Sequence, residues 1–122
     1  MESVTLNSQD QASVSDRIQV VTMLYDGAIN FIGKAKEKMD IGDSLGKSHF
    51  IKKTSAIVQE LSGTINMDGG EIANNLKNLY GFVLESLTKA DISNNRDALN
   101  DAEKVVEILQ GAWHEIQQAE KV

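Results

Sequence analysis

The run D-R-I-Q-V-V-T-M-L-Y-D-G-A-I-N-F-I-G-K-A-K-E-K-M-D-I, residues 16–41, decides the fold. Ile18, Val21, Tyr25, Ala28, Ile32, Ala35 and Met39 follow one another at alternating steps of three and four. That is a heptad seam, and it predicts a helix packed nearly parallel to its neighbours. Leu24, Ile29 and Phe31 widen the seam, as a bundle helix touching two partners requires. Asp26-Gly27 stands in the middle, although glycine inside a helix costs about 1 kcal/mol relative to alanine. We read Gly27 and Ala28 as close-packing positions where a neighbouring backbone comes near, with Asp26 on the polar side in water.

Three further periodic blocks follow. Gly42 is suited to the left-handed cap that ends a helix, and Asp43 or Ser44 to capping the next. The second block runs to about Thr64, with Phe50, Thr54, Ile57 and Leu61 on one seam and Ile51, Val58 and Ile65 in a stripe beside it. Asp68 and Glu71 have the reciprocal spacing of a capping box. The third block carries Ile72, Leu76, Leu79, Val83 and Leu87, widened by Ala73, Tyr80 and Leu84, and stops near A-D-I-S-N-N at 90–95. The last, from about Arg96 to Ala119, carries Leu99, Ala102, Val106, Leu109, Trp113 and Ile116. No sustained period-two alternation occurs, so no strands are expected. Helices of roughly 20 residues on short connections pack antiparallel to their sequential neighbours. The expectation is all-α: an antiparallel up-down-up-down four-helix bundle over 16–122, preceded by a flexible N-terminal segment, 1–15.

Composition narrows the function. A length of 122 residues suits one domain with its own core. The net charge of −6, with lysines interleaved among acids, argues against nucleic acid as a partner. The absence of cysteine removes disulfides and thiolate metal sites. Neither a signal peptide nor an apolar run of membrane-spanning length is visible, so the expected location is the cytoplasm, without membrane insertion.

Catalytic readings find little footing. His49 opens H-F-I-K-K-T-S, which is similar to the H-x-x-K of a histidine phosphotransfer bundle. There an exposed imidazole takes a phosphoryl group and a lysine steadies its charge. Lys53 stands where such domains usually carry glycine, and a solvated helix histidine is the simpler account of His49. A carboxylate-bridged di-iron bundle needs Glu-x-x-His pairs, but Gly46 and Gly111 occupy the positions three before His49 and His114. No serine has the setting of a nucleophile elbow. The reading is no enzyme, no catalytic residue, no metal and no cofactor. A passive structural bundle that dimerises through surplus apolar surface is the third class.

Several segments occur in a telling order: L-Y-D-G-A-I-N-F at 24–31, Gly42-Asp43, M-D-G-G-E-I-A-N-N-L-K-N-L-Y at 67–80, A-D-I-S-N-N at 90–95, and Ala112-Trp113. Together they resemble the FliS family of flagellar secretion chaperones over roughly Arg17 to Glu115. The resemblance implies a small helical chaperone that binds the C-terminal region of flagellin in the cytoplasm. It would block premature polymerisation and deliver the client to a component of the flagellar export gate, without ATP. Two features depart from the family pattern. S-V-S-D-R at 13–17 replaces a Thr-Ala-Ser-Pro type entry, with Ser15 or Asp16 able to cap. No tyrosine precedes Tyr25, so Val4 and Leu6 are the apolar residues of a segment that in relatives can cover the groove.

The residues offer a candidate groove for that tail. Val20 and Met23 point away from the first seam, and Tyr80 and Leu84 lie beside the third. With Leu24, Ile51, Val58 and Val83 they form the expected partner-binding set. Surplus apolar surface often marks such a site. Broad helix stripes also arise from packing against two neighbours, and a weak homodimer is another use for them.

Overall fold

The computed structural model describes residues 2–120, with side chains from Val14 to Ala119 except Met67. Its helices are α1 (Glu2–Asp40), α2 (Ser44–Gly63), α3 (Gly70–Ser93) and α4 (Arg96–Glu120), with a 3-10 turn, Met67–Gly69, before α3. No strand occurs among the described residues. In the ring α1–α2–α3–α4 each helix packs against the two beside it, which gives the expected antiparallel four-helix bundle. No helix of the described residues is long and apolar enough to cross a membrane.

Helix α1 begins at Glu2, well before the expected start at Asp16. Neither glycine nor proline interrupts 2–16, and the Ser, Asn and Asp there cost only tenths of a kcal/mol each (about 0.7 at most) in a helix. Ser15 and Asp16 therefore sit inside the helix rather than capping it. Val4 and Leu6 lie outside the described side chains. At the other end Gly42, at φ 75°, closes α1. Its N–H donates to the Met39 carbonyl at 3.2 Å, and the Asp43 N–H donates to Lys38 at 2.9 Å. This paired closure uses a left-handed residue, which glycine adopts without strain. The Asp43 carboxylate then accepts from the Gly46 N–H at 2.9 Å and caps α2 as expected.

The capping box at Asp68 and Glu71 does not form. Asn66 instead accepts from the Asp68 N–H at 3.0 Å, and α3 starts after Gly69 with no side-chain cap. Gly70, at φ 65°, turns the chain between the two elements and takes Asp68 out of register with Glu71. Helix α3 ends as expected in the asparagine pair. Asn94 adopts the left-handed cap, and Asn95 accepts from the Ala98 N–H at 2.9 Å to start α4.

The core runs down the axis. Tyr25, Ala28, Ile32 and Ala35 meet Ile51, Val58 and Leu61 of α2, Tyr80, Val83, Leu87 and Ala90 of α3, and Ala98, Leu99, Ala102 and Val106 of α4. Thr54 is buried with them because its hydroxyl donates to the Phe50 carbonyl at 2.8 Å. Two seams turn relative to expectation. On α2 the buried line is Ile51, Thr54, Val58 and Leu61, with Phe50 and Ile57 half-buried. On α3 it is Ala73, Tyr80, Val83, Leu87 and Ala90, which leaves Ile72 and Leu79 exposed. Both helices carry enough apolar residues for two overlapping stripes, and the neighbours select one.

Candidate functional site

The link from α1 to α2 and the link from α3 to α4 share one end of the bundle. Lys47, in the first turn of α2, is only 5% exposed. Its Nζ donates to the Asp91 carbonyl at 3.0 Å and to Asn94 Oδ1 at 3.1 Å, with the Asp91 carboxylate 3.9 Å away. A buried ammonium persists only with partners of this kind. Ser48 donates to the same carboxylate, and Arg96 pairs with Asp40. Polar ties close this end.

At the opposite end an antiparallel bundle brings together the early part of α1, the end of α2, the start of α3 and the end of α4. Here the helices leave a groove of ≈ 560 Å³. Val14, Ile18 and Val21 of α1 face it, with Leu61 and Ile65 around the end of α2. Ile72, Ala73, Leu76 and Tyr80 of α3 and Trp113 of α4 complete the apolar lining; Arg17, Thr64 and Asn66 lie among them. Among the described lining residues there is no carboxylate and no histidine.

Behind its wall lies a buried polar contact. The Tyr25 and Tyr80 hydroxyls hydrogen-bond to each other across the bundle. Burial, and then the bond to Tyr80, pushes the Tyr25 phenol far above its ordinary range; burial raises Tyr80 as well. Both therefore remain neutral hydroxyls at physiological pH.

The lateral faces are occupied by smaller contacts. Between α1 and α4, Asp26 accepts from Gln110 Nε2 at 2.8 Å and pairs with His114 Nε2 at 2.9 Å, while Lys36 meets Glu103 at 2.8 Å. Asp26 thus stays at the surface as expected but gains partners. Between α1 and α2, the rings of Phe31 and Phe50 stack at 6.0 Å. Lys53 lies over Phe31, Lys34 lies over Phe50, and the His49 ring meets Phe50 edge-on at 5.0 Å. His49 is exposed, and it and Lys53 both have structural contacts on this face.

The structure distributes the expected partner-binding set unevenly. Ile51, Val58 and Val83 are sealed in the core, at 3%, 1% and 0% exposure, and offer no surface to a partner here. Leu24 and Leu84 are half-buried against that core. Val20 and Met23 are exposed on α1 but do not line the groove. Tyr80 alone of the eight lines it. Ala28 is fully buried. Gly27 packs against a side chain rather than a backbone: a Cβ built there would lie 3.5 Å from Ile57 Cδ1, an ordinary contact. Most groove residues were seam positions in the sequence. Their signal was their shared end: seam residues at alternate helix starts and stops converge where no further layer of core covers them.

The fold and this site define a class, an antiparallel four-helix bundle with an apolar groove at one end. Comparison with known proteins makes the class particular. The chain belongs to the FliS family: the model of flagellar protein FliS matches residues 2–120. Among similar proteins, the flagellar secretion chaperone FliS of Campylobacter jejuni is 34% identical over 116 residues, covering 94% of this chain and 91% of that protein. The Vibrio cholerae protein of the same name is 32% identical over 107 residues (87% and 79%), and that of Salmonella typhimurium is 30% identical over 100 (80% and 74%).

Proposed function

We propose that this chain is a cytoplasmic, non-enzymatic export chaperone whose end groove receives the C-terminal region of flagellin. Occupancy keeps that region from polymerising, and the complex is handed to a component of the flagellar export gate. The groove itself carries the reading. It is apolar, drawn from all four helices and ≈ 560 Å³ in volume, a setting that accepts the apolar face of a partner helix. Family membership and the names of the relatives support the same reading. Within it, residues 1–15 act as a segment distinct from the bundle, 16–122. Exposed Val20 and Met23 flank the path of the client, and Tyr80 contacts it directly. A weak homodimer through exposed Leu79, Phe82, Ile108 and Ile116 is the competing use of apolar surface.

The test mixes the full chain with flagellin and with flagellin lacking its C-terminal region, and reads mass by light scattering after gel filtration. The expected result is a one-to-one complex with the first and none with the second. The isolated C-terminal peptide should also gain helical circular dichroism on binding. A stable homodimer that leaves the peptide spectrum unchanged would overturn the proposal.

A further inference from the structure

Tyr25 is completely buried, so its hydroxyl proton must find an acceptor inside the protein. Among the described residues its one hydrogen-bond partner is the Tyr80 hydroxyl. The acceptor for the Tyr25 proton is therefore the Tyr80 oxygen. Tyr25 donates, Tyr80 accepts, and the proton of Tyr80 is turned away from Tyr25. Tyr80 and Trp113 both line the groove, so the groove is where that proton is offered.

We propose that the Tyr80 hydroxyl is the specificity-determining donor of the groove, taking an amide oxygen of the bound segment in an otherwise apolar wall. This rests on the groove being the client site. An apolar wall alone selects only for greasiness and approximate size. One oriented donor also fixes register, because an occupant that slides leaves a buried hydroxyl unpaired. The direction is set by burial behind the wall and cannot reverse without orphaning the Tyr25 proton. The occupant thus meets a donor, and a segment with an amide oxygen at that height is favoured over one with a methyl group.

Trp113, the single tryptophan of the chain, gives the readout, since a ligand in the groove changes its surroundings. The probe is the C-terminal flagellin peptide, titrated against the full chain while Trp113 emission is followed. Tyr80→Phe alone strands the Tyr25 proton, so the informative pair is Tyr25→Phe and the double variant Tyr25→Phe/Tyr80→Phe. The double variant replaces both partners by apolar rings, a change proteins tolerate well. The double variant should bind the peptide about three- to tenfold more weakly than Tyr25→Phe, the worth of one neutral hydrogen bond. Replacing the contacting side-chain amide of the peptide by an apolar residue, or the contacting main-chain amide by an ester, should weaken binding to Tyr25→Phe. The same replacement should leave binding to the double variant unaltered. Equal affinities for the two variants would overturn the donor role while leaving the client site standing. No change in Trp113 emission and no binding by the unmodified chain would remove the client site, and this inference with it.

Discussion

Where α1 turns into α2, Lys47, Ser48 and Arg96 tie four helices and the α3–α4 link together through Asp91, Asn94 and Asp40. At the far end, Ile18, Val21, Ile65, Ile72 and Trp113 face open space. The helices are the same, yet one end is held by directional bonds and the other holds an apolar groove. Polar ties are specific but saturable: once Lys47 has its acceptors, nothing more can join. An apolar groove has no such limit, since any matching apolar surface gains by entering it. Closing one end with hydrogen bonds lets the other stay open without loosening the bundle.

The largest expected effect tests the closed end. Lys47→Ala removes a buried stem and leaves the Asp91 carbonyl and Asn94 without their donor. Urea unfolding followed by circular dichroism should show a loss of about 2–4 kcal/mol. Flagellin peptide affinity, measured below the unfolding transition, should stay within about twofold. If affinity falls in step with stability, the two ends are coupled and the division of labour is wrong.

The mirror experiment is Ile72→Glu at the open end. Ile72 is 80% exposed and stands in the first turn of α3, where a carboxylate favours the helix dipole. Stability should hold within about 0.5 kcal/mol or rise slightly. Peptide affinity should drop about tenfold, roughly 1.4 kcal/mol, because the new charge must be desolvated against an apolar partner. Unaltered affinity would move the client path off this rim.

The fold was legible because its evidence is periodic and local. The seam of α1, the glycine stop at Gly42, the Asp43 cap and the asparagine pair at 94–95 are all one-helix statements, and all four stand. What could not be read locally was rotation. Helix α3 offers Ile72 and Leu79 on one line and Ala73, Tyr80 and Leu87 on another, with Val83 beside both. Only contact with α2 and α4 decides that the second is buried. The same limit scattered the expected partner set: Ile51, Val58 and Val83 have the chemistry of a groove but lie in the core. The groove residues themselves looked like ordinary seam. Whether a seam position is covered depends on which helix ends share an end of the bundle, a property of topology that no single segment carries. Asp68 and Glu71 failed for a related reason, since their spacing fits a capping box but the two glycines between them redirect the chain.

The smallest effect lies midway, on the face of α1 and α4. Asp26 directly follows the buried Tyr25, and His114 directly follows Trp113 of the groove wall, so their 2.9 Å contact ties α1 to α4 beside that wall. The hydrogen bond from His114 holds the Asp26 carboxyl below its ordinary value of 3.8, against the opposing effect of burial, with a lesser lowering from Gln110. A carboxylate depressed in the folded state stabilises above its unfolded pKa, and loses that contribution as pH falls through the folded one. Asp26 is nearly half exposed, its side chain at 49%, so solvent screening limits the pair to about 0–1 kcal/mol. Asp26→Asn should therefore be slightly less stable than the unmodified chain at neutral pH, and added salt should narrow the gap. The two stability curves should converge as pH is lowered from about 4 towards 2, when the carboxylate becomes neutral. A gap that survives at the acid end would mean that Asp26 acts through hydrogen-bond geometry rather than charge. The register of α1 on α4, and with it the wall of the open end, would then be insensitive to titration at this face.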